Sequence, residues 1–92
     1  MSGIFNMALY SYDKQYAIEL YDNEIEKNPS NFAAWNNRGV NKIEVAIEKG
    51  DYNLALDGKK DILKAIEIAK EYPLAVNNIK WADDAIQSFQ HE

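Results

Sequence analysis

Residues 28–39 read Asn28-Pro29-Ser30-Asn31-Phe32-Ala33-Ala34-Trp35-Asn36-Asn37-Arg38-Gly39, and the pattern they open runs on to Gly50-Asp51. Pro29 disfavours helical geometry in the residue before it, so a helix arriving from upstream ends near Lys27 or Asn28. Ser30 or Asn31 then offers a side-chain oxygen to backbone amides two or three residues on, which starts the next helix. From there Phe32, Trp35, Gly39, Ile43, Ala46 and Ile47 recur at helical spacing, with Val40 widening the stripe. Asn37, Asn41, Glu44 and Glu48 occupy the opposite face. Gly50 closes the run, because glycine takes the left-handed C-terminal conformation without steric penalty.

Upstream, Ala17, Ile18, Leu20, Tyr21 and Ile25 predict a helix from about Lys14. Asp13 stands as its N-cap or turn residue, after a short helix over residues 4–10; the alternative is one bent helix through both stretches. Downstream, Asp51 opens a long helix with Ala55, Ile62, Ala65, Ile66, Ala69 and Tyr72 on its stripe, and Pro73 stops it. Gly58 lies on that stripe, where it weakens the helix by up to ~1 kcal/mol relative to alanine. Either a neighbouring helix comes close there or the helix bends. The last helix carries Ala75, Ile79, Ala82, Ile86 and Phe89, flanked by Leu74, Trp81 and Ala85. Asn77, Lys80, Asp84, Gln87 and Ser88 face away from them. No strand alternation competes, and residues 1–92 are expected to form a single all-α domain of antiparallel helical hairpins.

The order Pro29, Trp35, Gly39, Gly50-Asp51-Tyr52 and Ala55 resembles the tetratricopeptide repeat, whose signature is a Trp or Leu, a Gly, an aromatic, an Ala and a Pro. Ala17, Tyr21 and Pro29 resemble the second helix of a preceding repeat. Pro29 to Pro73 spans 44 positions, against about 34 in a typical repeat. Ala55 to Pro73 is 18 positions, whereas Ala17 to Pro29 is 12. Arg38 stands at a usually apolar place, Lys42 replaces an aromatic, and Asp83 falls where alignment on Pro73 would put a Gly. The resemblance is good from Ala17 to Ala55 and poor beyond it. It implies a superhelix of hairpins; a four- or five-helix bundle that echoes the pattern is the alternative. By the same resemblance the first helix of each repeat lines a groove that binds peptides. Asn36 and Asn37 would then be groove residues of the central repeat, and Lys80 and Trp81 those of the last.

A 92-residue chain with 47% hydrophobic and 27% charged residues has the composition of one small globular domain. Its formal charge of −5 disfavours nucleic acid, whose binding needs clustered Lys and Arg. The chain has no cysteine, which excludes thiolate chemistry, disulfides and Cys-bound zinc. The apolar start lacks a basic segment and is too short for a signal peptide. No run reaches the length that spans a bilayer, so a cytoplasmic location without membrane attachment is expected.

Catalytic material is thin. The only histidine is His91, near the end of the sequence, so no Ser–His–Asp arrangement can be assembled. Asp83-Asp84 and Asp57/Asp61, the latter among Lys59, Lys60 and Lys64, read as solvated faces. Asp57-Gly58-Lys59-Lys60 lacks the full phosphate-loop pattern, and Asp51-x-Asn53 lacks the later ligands of a calcium loop. The reading is no enzyme, no cofactor and no metal.

Trp35 is expected in the core, and Trp81 at the margin of its stripe, where a half-exposed aromatic can anchor a partner. Tyr10, Tyr12, Tyr16 and Tyr21 form an amphipathic belt whose hydroxyls reach water. An asparagine amide both donates and accepts, which suits an extended peptide. Two candidate partner surfaces follow: Asn36, Asn37, Val40 and Asn41, and the last helix around Asn77, Lys80, Trp81 and Asp84. The expected role is interaction with a protein or peptide. The alternatives are an acidic stoichiometric inhibitor, such as an immunity protein, antitoxin or phage counter-defence factor, and a small-ligand-binding bundle. About three repeats are normally needed for a stable stack. Longer helices, or self-association into a homodimer, must supply the missing burial.

Overall fold

The computed structural model describes residues 10–90. The short helix expected over residues 4–10 lies outside these residues apart from Tyr10, as do the side chains of Tyr10 and Tyr12 and the whole of His91. The described chain is all-α: α1 (Tyr10–Lys27), α2 (Phe32–Lys49), α3 (Tyr52–Ile68) and α4 (Pro73–Gln90). Ser11, Tyr12 and Asp13 lie inside α1, so Asp13 is not the cap that the sequence predicts. The polar triplet is tolerated because one turn of polar residues does not interrupt backbone hydrogen bonding, as a proline lacking its N–H would.

The turns follow the expected chemistry. Asn31 caps α2, its Oδ1 accepting from the Ala34 amide at 3.2 Å, while its Nδ2 donates to Glu24 Oε2 of α1 at 3.0 Å. Gly50 closes α2 at φ 69°, the one positive φ among the described residues. Asp51 caps α3 by accepting from the Leu54 amide at 3.1 Å. The next turn departs from expectation. α3 ends at Ile68, with Ala69 outside helical geometry at φ −131° and ψ 87°, and Pro73 is the first residue of α4. Proline is favoured at that position, where its missing N–H has no helical acceptor to lose. Tyr72 leaves the helix and sets its ring edge-on against Phe32, centroids 4.8 Å apart.

Each helix runs antiparallel to the next. Lys14 at the start of α1 meets Glu48 at the end of α2 at 2.9 Å. Arg38 meets Asp61 across α2 and α3, and Lys59 meets Asp83 across α3 and α4 at 2.7 Å. Among the described helices α2 alone lies against the other three. The core gathers Ile43, Ile62, Ala65, Ala75 and Ala82, with Trp35, Val40, Ile79 and Trp81 packed partly buried around it. Because α2 has neighbours on several sides, it buries more than one stripe: Ala34, Asn36 and Val45 are also below 5% exposure. Ile47 and Phe32, both placed on the predicted stripe, are 50% and 37% exposed. Trp35 is half-buried and donates its indole N–H to the Pro29 carbonyl at 2.7 Å, tying the turn to the helix it precedes.

The glycine on the α3 stripe marks a close approach. A Cβ on Gly58 would sit 2.6 Å from the carbonyl oxygen of Gly39 and 2.7 Å from Cγ1 of Ile43. Beside this crossing, Arg38 grips Asp61 with two parallel hydrogen bonds, Nε at 2.8 Å and Nη2 at 2.9 Å. Its Nη1 donates to Asp22 of α1 at 2.7 Å, and Lys42 reaches Asp61 at 3.1 Å. Asp61 is only 5% exposed, so this carboxylate is not on a solvated face as the lysine-rich context predicts. Asp57 is, with its side chain 57% exposed. The hydrogen bond to Asp61 holds the Arg38 pKa above its ordinary value, against the opposing effect of burial. The cluster fastens α1, α2 and α3 together at one level.

Candidate functional site

On the side of α2 away from α3, the side chains of α1 and α4 stand as two walls with α2 as the floor. The groove between them encloses about 340 Å³. Tyr21 comes from α1, Asn36, Asn37, Val40 and Asn41 from α2, and Leu74 and Asn78 from α4. Helical spacing makes this possible: residues three and four apart share a face, which aligns Asn37 with Val40 and Asn41, and Leu74 with Asn78. All four α2 residues predicted for a partner surface are therefore brought together.

Their polar groups are organised. Asn78 Nδ2 donates to Asn36 Oδ1 at 3.1 Å, and Asn36 Nδ2 donates to Asn37 Oδ1 at 3.3 Å. Asn36 is 2% exposed, and no buried side-chain nitrogen or oxygen among the described residues lacks a partner. A buried amide left unpaired would be destabilising by roughly 1–3 kcal/mol, so the Asn36–Asn78 bond is also the polar tie between α2 and α4. Asn36 itself is a buried anchor of the groove; Asn37 and Asn41 are its accessible amides.

The second predicted surface does not converge on this groove. Asn77, Lys80 and Asp84 are exposed on α4, and Trp81 is half-buried against the core. The reason is the turn before α4. Aligning Pro29 with Pro73 matches Asn36-Asn37 to Lys80-Trp81, but Pro29 precedes its helix whereas Pro73 begins one. Counted from the helix starts, Asn36-Asn37 correspond to Asn77-Asn78, and it is Asn78 that reaches the groove. Reading Pro73 as a first helical residue would have found Asn78 in the sequence. Tyr21 and Leu74 carried no signal beyond their apolar character.

Other hollows lie elsewhere on the described residues. One of about 520 Å³ opens beside Phe32, Tyr72 and Pro73 at the α3–α4 turn. Another, about 240 Å³, lies among Gln15, Ile18, Val45 and Leu54. Neither holds a buried polar side chain directed by hydrogen bonds from two helices. Among the described residues no group of three His, Asp, Glu or Cys side chains is placed to hold a metal ion. No described helix is long and apolar enough to cross a membrane. No family model matches the chain, nor does any curated protein or solved structure.

Proposed function

We propose that this chain is a small, non-catalytic interaction module that receives a protein or peptide segment in the α1–α2–α4 groove. One observation carries the reading: amides from two helices converge with Tyr21, Val40 and Leu74 in one preformed cleft, ordered by the buried Asn36. A preformed cleft needs little side-chain ordering on association, which is where a rigid helical scaffold gains affinity. The hairpins are read as tetratricopeptide-like, with α1 closing one repeat, α2 and α3 forming the next, and α4 beginning another.

The test is capture of partners by the immobilised chain, compared with Asn37→Ala, Asn41→Ala and Trp81→Ala. Loss of the captured protein with the two groove substitutions, but not with Trp81→Ala, is the expected result. Capture that survives both groove changes would move the interaction to another surface. The same preparations bear on self-association. Tyr16 and Leu20 stand one turn apart on α1 and are 59% and 49% exposed, which gives a homodimer an apolar surface to cover. Light scattering on the chain alone at micromolar to millimolar concentration should then show twice the monomer mass; a monomer throughout removes the homodimer.

A further inference from the structure

We infer that the groove is built for an uncharged, extended stretch from the interior of a peptide, held through its backbone, and not for a charged chain end. The inference rests on the interaction reading above and specifies its ligand. The first argument is charge. No Asp, Glu, Lys, Arg or His is among the described residues that line the groove. The cations nearest in sequence are committed elsewhere: Arg38 to Asp61 and Asp22, and Lys42 to Asp61 and Asp57. Lys80 does not line the groove. A carboxylate brought here would lose water and meet no opposite charge, which is strongly unfavourable.

The second argument is the direction of the amide chain. The bonds run from Asn78 to Asn36 to Asn37, so they use one Asn78 N–H and one lone pair of Asn37 Oδ1. What remains is Asn78 Oδ1 and the second Asn78 N–H at the α4 wall, and the Asn37 Nδ2 donors with the second lone pair of Asn37 Oδ1 on the floor. Among the described residues the Asn41 amide and the Tyr21 hydroxyl make no side-chain hydrogen bond. The groove therefore offers both donors and acceptors without charge, which is the complement of a peptide edge that presents N–H and C=O in turn. The third argument is the apolar wall: Leu74 is 58% exposed beside Val40, a seat for one apolar side chain of the ligand.

The experiment selects binders to the intact chain from one randomised peptide library in two formats. One is flanked on both sides, and the other ends in a free carboxylate. Recovered peptides are titrated against the unaltered chain, Asn41→Asp and Asn41→Lys, with the thermal midpoint of each variant recorded as a check on folding. The expected binders come from the flanked format and lack acidic and basic residues. Their Kd should change less than about twofold between roughly 0.05 and 0.5 M salt, since no ion pair is screened. Asn41→Asp should weaken them about tenfold, the loss of a hydrogen bond to a now acceptor-only group, and Asn41→Lys should bring no gain. Peptides that need the free carboxylate, or acidic residues, and that bind Asn41→Lys more tightly would overturn the uncharged-ligand inference while leaving the groove as the binding site. Recovery of no peptide, or binding indifferent to both Asn41 variants, would overturn the inference and the groove reading together.

Discussion

Gly58→Ala is expected to destabilise the fold by about 2 kcal/mol, although alanine is the better helix former by up to ~1 kcal/mol. The added methyl would lie 2.6 Å from the Gly39 carbonyl oxygen, 2.7 Å from Ile43 Cγ1 and 3.1 Å from Lys42 Cβ. The first is backbone and the second belongs to a side chain with no solvent exposure, so neither can swing aside. Relief requires α2 and α3 to separate, and overpacking of this kind typically destabilises by ~1–3 kcal/mol. Gly39→Ala meets the mirror-image obstacle, the Gly58 carbonyl oxygen and Ile62 Cγ1 at 2.7 Å. Gly50→Ala is the control: it meets no atom within 4 Å and strains only a left-handed φ, at about 1 kcal/mol. Urea unfolding with an unchanged slope reads the difference directly. A Gly58→Ala midpoint at or above that of the unaltered chain would show that the crossing is looser than the glycine pair requires.

Asp61→Ala should be at least as damaging, with a loss of about 3 kcal/mol. It removes the bidentate partner of Arg38 and the nearer partner of Lys42, whose side chains are 15% and 13% exposed. Arg38 would keep only Asp22, half in solvent, and Lys42 only Asp57 at 3.5 Å. Asp57→Ala, which touches the same lysine from the solvent side, should change stability by less than ~1 kcal/mol. Replacing Arg38→Met together with Asp61→Leu should recover the part of the loss that comes from stranding Arg38, while Lys42 still keeps only Asp57. Equal effects of Asp61→Ala and Asp57→Ala in the same denaturation series would contradict this account.

These two sites also mark how far the sequence could be read. Proline, the caps and Gly50 act within a few residues of themselves, so the bounds of α2 and the start of α3 were legible at Pro29, Asn31, Gly50 and Asp51. Gly58 left two options, approach or bend, and only its meeting with Gly39 decides between them. Asp61 misled because its neighbours in sequence are lysines, whereas its partner Arg38 is 23 residues away. Burial of a charge depends on what crosses it, and periodicity on one helix does not contain that information. Pro73 misled for a different reason: proline both ends helices and begins them, and the stretch from Ala69 to Tyr72 is compatible with either. That single ambiguity displaced the α4 wall of the groove from Leu74 and Asn78 to Lys80-Trp81. Asn36, Asn37, Val40 and Asn41 line one cleft because they share one face of one helix, where spacing suffices.

The central place of α2 has a consequence for the order of assembly. Three of the four helix contacts among the described residues join neighbours along the chain, so most of the described structure closes through short loops and can form early. The groove is the exception. Its far wall depends on α4 returning to α2, across the 42 residues that separate Asn36 from Asn78. A nascent or shortened chain that stops at Ile68 could already hold the Gly39–Gly58 crossing and the Asp61 cluster, yet it would have no cleft and nothing to satisfy Asn36 from that side. Competence to bind would thus arrive with the last helix, tying recognition to completion of the fold.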